Sequence, residues 1–134
     1  MAIRKIEEFK RIMKGDSILL SATPDGIHDA IPEMSTHYNE KKPGDEVYPH
    51  SHNRVEVYVF VSGKALAMAG EDIALVSAGD VAITPIGIPH AIKVIGSERL
   101  AFFALNSPSS SMHPMLDAPK DIVEKWEAAK KKYL

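Results

Sequence analysis

His50 and His52 stand two residues apart, and Glu56 follows four residues after the second histidine. Imidazole nitrogen and carboxylate oxygen are donors that bind divalent metals without thiolate. On an extended strand the side chains alternate, so both imidazoles share one face, about 6.6 Å apart along it. Two rings converging there can hold one ion. Glu56 has the same parity, but a straight strand would carry it about 13 Å beyond His52. That is too far to share an ion with bonds of about 2.0–2.2 Å. The chain must therefore turn at Asn53-Arg54, and Glu56 must open a new strand facing the same interior. Taken singly, the His-x-His pair is a weak signal that reads more readily as two half-exposed strand histidines, and Glu56 reads equally well as an edge-strand charge.

The elements that would position these groups are short. From about residue 17 to 106, Val- and Ile-rich runs alternate with Gly, Pro, Asp and Asn. The expected strands are 17–22, 27–38, 46–51, 55–61, 64–69, 72–77, 80–84, 89–95 and 99–105. Turn signals such as Thr23-Pro24-Asp25-Gly26, Ser62-Gly63 and Ala78-Gly79-Asp80 separate them. Many short strands without room for crossover helices predict an antiparallel sandwich or barrel. Outside this core, Ile3, Ile6, Phe9 and Ile12 recur three apart and predict a short N-terminal helix closed by Gly15. Residues 107–118 read as a loop. Residues 119–132 predict a C-terminal helix with Asp117 near its N-cap, Pro119 in its first turn and an apolar stripe of Ile122, Val123, Trp126 and Ala129. That stripe is expected to pack on the sheet or on a partner. One domain spanning 1–134 is expected, with no internal repeat.

The segment Gly44-x5-His50-x-His52-x3-Glu56-x6-Gly63 resembles the first motif of the cupin superfamily at every fixed position. The segment Gly79-x5-Pro85-x-Gly87-x2-His90 resembles the second, except that Val94 stands where its closing Asn would. The resemblance implies an all-β, antiparallel jelly-roll barrel with His50, His52, Glu56 and His90 as ligands of one divalent metal ion per chain. It also implies a homodimer. The departure at Val94 puts a local hydrogen bond in doubt rather than the metal site. Gly63 and Gly79 suit tight turns with positive φ, and Pro85 with Gly87 can form a rigid loop that returns His90 to the other ligands.

Nitrogen and oxygen donors suit Fe, Mn, Ni, Co, Cu or Zn, and do not choose among them. The expected function is that of a mononuclear metalloenzyme of oxygenase or isomerase/lyase type. Its substrate class would be a small organic acid, sugar or aromatic compound. A sugar phosphate is disfavoured, because few Lys or Arg residues fall at inward positions. The alternatives are a non-catalytic metal-dependent ligand-binding or sensing module, and a barrel whose site is vestigial. By parity, Tyr58 and Phe60 should line the interior with Glu56, Ile92 and Val94 with His90, and Tyr48 with His50. Such walls suit a small organic ligand. His37 and Tyr58 are the candidate catalytic groups. Arg54 could meet an anion, but a solvated side chain is the plainer reading. His113 is best read as a surface-loop residue, and His28 is given no role.

The bulk properties exclude other classes. Sixteen Lys and Arg against eighteen Asp and Glu give a formal charge of -2, without the basic patch that nucleic acid requires. No stretch has the length of a membrane span. The absence of cysteine and of a leading apolar segment fits a cytoplasmic protein.

Overall fold

A computed structural model describes residues 5–11, 17–21, 33–108 and 115–134. Eleven strands and one α-helix are present among them, in the order β1 (Lys10–Arg11), β2 (Ile18–Ser21), β3 (Ser35–Lys41), β4 (Glu46–Ser51), β5 (Val55–Ser62), β6 (Lys64–Ala69), β7 (Asp72–Ser77), β8 (Val81–Thr84), β9 (His90–Ile95), β10 (Leu100–Ser107), β11 (Leu116–Asp117) and α1 (Lys120–Tyr133). They build two antiparallel sheets. The six-stranded sheet has the order β1-β2-β3-β10-β5-β8, and the five-stranded sheet has the order β11-β4-β9-β6-β7.

The sheets face each other across an apolar core. Phe60, Leu100, Phe102 and Ala104 come from the six-stranded sheet, and Ala65, Ile92 and Val94 come from the other. The expected closed barrel is not formed. β7 and β8 each end their own sheet. The turn between them, where the Ser77 N–H donates to Asp80 Oδ2 at 2.8 Å, carries the chain from one sheet to the other without a ladder. Val94, at the position of the expected Asn, packs in this core. Its backbone N–H donates to the Asp45 carbonyl at 2.9 Å, so the entry to β4 is tied down by main chain instead of an amide side chain.

β6 is buried on both faces because α1 covers the outside of its sheet. Trp126 and Ala129 of the helix meet Leu66, Met68 and Ala91, with Ile122 at the edge. The expected stripe thus packs on the sheet. Asp117 does not cap the helix; it ends β11, and Pro119 occupies the N-cap without a side-chain bond. Lys130, Lys131 and Lys132 lie in the last turn, where they suit the negative end of the helix dipole.

The N-terminal helix is a correction. Among the described residues of this segment only Ile6–Glu8 is helical, as a single 3-10 turn, and Lys10–Arg11 then pairs with β2. A three-residue spacing suits a 3-10 turn, whose side chains eclipse at i and i+3. Ile3, Ile12, Gly15, the 23–26 turn, His28 and His113 lie outside the described residues. Gly63 does more than punctuate a turn. Its φ is +81°, and a Cβ there would collide with the Arg99 carbonyl and reach 2.8 Å from Leu100 Cα.

Candidate metal centre

Each ligand position follows from strand register. His50 of β4 and His90 of β9 are direct cross-strand partners in the five-stranded sheet. Glu56 lies in β5 of the facing sheet, between Asn106 of β10 and Thr84 of β8. His52 sits in the link that crosses from one sheet to the other, just after β4. The Gly87 N–H donates to the His52 carbonyl at 3.0 Å, so the loop that delivers His90 is pinned to the link that carries His52. Gly87 reaches this position with φ of +76°, which a side chain would resist.

The result is one buried cluster. A donor atom from each of His50, His52, Glu56 and His90 lies within 4.8 Å of the others. Two donors with bonds of about 2.1 Å to a shared ion are at most about 4.2 Å apart, so small side-chain movements would close the cluster on a cation. His50 Nδ1 faces the Tyr48 carbonyl at 2.8 Å, and His90 Nδ1 faces the Ile88 carbonyl at 3.1 Å. A carbonyl only accepts, so both Nδ1 atoms carry the proton. That leaves the Nε2 lone pair of each neutral ring for the centre. Glu56 Oε1 lies 3.1 Å from His90 Nε2, and Oε2 lies 3.5 Å from His52 Nε2. Both ring nitrogens of His52 are buried without a hydrogen-bond partner. A buried polar atom left unpaired is costly, and a cation would satisfy one of them. The donor set and this orphaned imidazole fit a divalent metal.

The electrostatics favour the deprotonated forms that bind metal. Burial, with His90 close by, pushes His50 down to about 4. Burial pushes the Glu56 carboxyl up, but the imidazoles of His52 and His90 and the Tyr58 hydroxyl close beside it outweigh this and hold the group well below the carboxylate range. Burial and the Glu56 charge push the Tyr58 phenol well above its ordinary value, so it remains a hydrogen-bond donor.

The other sequence candidates divide. Tyr58 lies one inward position from Glu56, its ring 6.2 Å from that of His90. His37 is buried and faces inward from β3, in the same cross-strand row as Ala104 and Tyr58. Phe60, Ile92 and Val94 are inward as expected, and belong to the core. Tyr48 is not inward. A bulge between Val47 and His50 breaks the alternation, and Tyr48 is 57% exposed, beneath the Lys130 ammonium.

Arg54 overturns the solvated reading. It is 7% exposed, its Nε donates to Asn106 Oδ1 at 2.8 Å, and its Nη2 lies 4.0 Å from Glu56 Oε2. Arg54 shares the parity of His52 and Glu56, which was the available signal. Asn106 lay one residue beyond the expected end of its strand. Together with Ser35 and Thr84, also buried, Asn106 and Glu56 form one polar row across four strands.

The family model "Cupin domain" matches residues 39–106. No curated protein matches the sequence. The fold is similar to a conserved double-stranded β-helix protein from Klebsiella pneumoniae, with TM-score 0.67, 21% identity and coverage of 88% of this chain and 99% of that one. It is similar to a cupin-2 domain from Rhodospirillum rubrum, with TM-score 0.69, 14% identity and coverage of 88% and 79%. It also resembles oxalate decarboxylase from Bacillus subtilis, with TM-score 0.67 and 18% identity over 92% of this chain and 35% of that one. At such identities the likeness shows the fold alone. The sequence match is a separate line of support, and because it takes in half of the chain, this protein belongs to the cupin family.

Proposed function

We propose that this cupin is a mononuclear metalloenzyme that holds one divalent ion per chain through His50, His52, Glu56 and His90. The observation that carries the reading is the orphaned, buried His52 imidazole within a cluster whose other two imidazoles are already oriented by backbone carbonyls. A small organic acid, sugar or aromatic compound is the substrate class, and the chemistry is of oxygenase or isomerase/lyase type. The bound ion would supply Lewis-acid polarisation or activation of water or O₂. The chain's own groups do the rest. Tyr58, kept protonated beside Glu56, turns its single O–H from that carboxylate to a ligand oxygen when one is bound. His37, buried on the neighbouring inward row, exchanges a proton with the substrate as general acid–base. The aromatic and aliphatic residues beneath exclude water. By resemblance to the family, the protein works as a homodimer.

The test is elemental analysis of untagged wild type, His52→Ala and Glu56→Gln. Wild type should hold about one ion per chain, and both variants should lose at least tenfold in metal affinity. Equal metal in all three would show that the ligands are wrongly assigned. Metal uptake without turnover across organic acids, sugars and aromatic compounds would favour a ligand-binding module instead.

A further inference from the structure

We propose that Arg54, held by Asn106, is the specificity-determining residue of the centre, and that the ligand it selects is a small carboxylate anion. The proposal rests on the metal reading above and narrows its substrate class. Three observations carry it. First, Arg54 is buried but aimed. Its Nε is fixed on Asn106 Oδ1 at 2.8 Å, and Asn106 is itself 2% exposed. Its Nη2 approaches Glu56 Oε2 at 4.0 Å, the oxygen that also faces His52 at 3.5 Å. The guanidinium therefore borders the donor cluster and does not point to solvent.

Second, the interior charges do not balance once an ion is bound. Among the described buried residues, Glu56 is the only carboxylate and Arg54 the only lysine or arginine. They offset each other, and the imidazoles bind metal as neutral rings, so a divalent ion adds two uncompensated positive charges. Buried charge is costly unless it is paired. An anionic ligand supplies the complement, and a planar guanidinium matches a planar carboxylate in shape and hydrogen bonding.

Third, the row next to Glu56 carries two more polar side chains, His37 and Tyr58. Ala104 separates His37 from Tyr58 across neighbouring strands, and Ala82 lies on Tyr58's other side. His37 and Tyr58 can hydrogen-bond the hydroxyl or oxo group of a two- or three-carbon acid.

The experiment compares lactate with lactamide, which has nearly the same shape but no charge. Binding to Co(II)-loaded protein is followed by calorimetry and by the visible Co(II) spectrum. Wild type should bind lactate at least tenfold more tightly than lactamide. Arg54→Met should lose that preference while keeping its Co(II) content and its affinity for lactamide. Arg54→Lys should recover part of the preference. A merely structural Arg54 would behave differently: Arg54→Met would lose Co(II), or weaken both ligands equally, and either result overturns the proposal. If wild type takes up no Co(II), the metal reading fails separately. The metal-free protein then decides the anion site. Lactate, and not lactamide, should raise the melting temperature of wild type but not of Arg54→Met. No charge preference in either form of the protein overturns the inference.

Discussion

His50 shows how burial sets the chemistry of one side chain. Its ordinary value of 6.5 falls to about 4, first because the ring is desolvated and then because His90 lies close by. A depressed histidine binds fewer protons folded than unfolded. Its contribution is therefore complete above pH 6.5 and is lost as pH falls towards 4, by roughly 3 kcal/mol for a shift of this size. Glu56 acts in the same direction at lower pH, since its depressed carboxyl contributes stability only above the ordinary carboxylate range. The metal-free protein should thus lose melting temperature steadily between pH 6.5 and 4, and His50→Asn should flatten much of that slope. A wild-type profile that stays level across this window would show that the imidazole is not held neutral by its surroundings. The same low pKa weakens proton competition for the metal, so uptake should persist below pH 6. These ligands were legible as residue types and spacings. Arg54 was less so, because an arginine in the turn after His52 is ordinarily solvated and only its parity with His52 and Glu56 points it inward. Asn106 was not legible, because the apolar run ends at Leu105 and pairing with β3 and β5 carries β10 beyond it.

At the scale of elements, α1 braces the strands that carry two of the histidines. Glu46 of β4 accepts from Trp126 Nε1 at 2.8 Å and from Lys130 Nζ at 2.8 and 3.0 Å, and Lys93 of β9 approaches it at 3.7 Å. Trp126 itself is fully buried against Leu66, Met68 and Ala91. Trp126→Ala should cost about 3–5 kcal/mol through the cavity it leaves, a fall in melting temperature on the order of 10 °C. The variant should keep its metal at temperatures where it is folded, because the helix touches the outer face and the ligands lie on the inner one. Thermal denaturation beside metal analysis checks both halves. Loss of metal from a folded variant would mean that the helix positions the site directly. From β4 to β9 the strand limits were readable within a residue, since Gly, Pro and Asp punctuate each turn. The failures came where pairing overrides local pattern. β1 exists only because β2 lies beside it. β3 runs on to Lys41 because β10 continues opposite it. The bulge before His50 turns Tyr48 outward, and no alternation rule signals it.

For the whole molecule the two sheets differ in what covers them. The five-stranded sheet lies under α1, whereas no described element covers the outer face of the six-stranded sheet. Cross-strand register there places Val57 between Leu105 and Ile83, and Val59 between Phe103 and Val81, with Tyr38 packed edge-on against Phe103 at 5.3 Å. Val61, Val81 and Ile83 are 43%, 51% and 62% exposed. A contiguous apolar face of this kind is unusual on a monomer. Twisted sheets pack face to face at about 30°, so two copies of this face can meet about a two-fold axis, in keeping with the homodimer expected of the family. Light scattering on the eluting protein should then give twice the 14.7 kDa chain mass. Ile83→Glu should shift the protein towards monomer, because a carboxylate buried at the centre of such an interface has no partner. Its metal content should not change, since Ile83 points away from the Glu56 face of the sheet. A wild type that elutes as a monomer at tens of micromolar would exclude this interface. The exposed valines and isoleucines would then need another occupant.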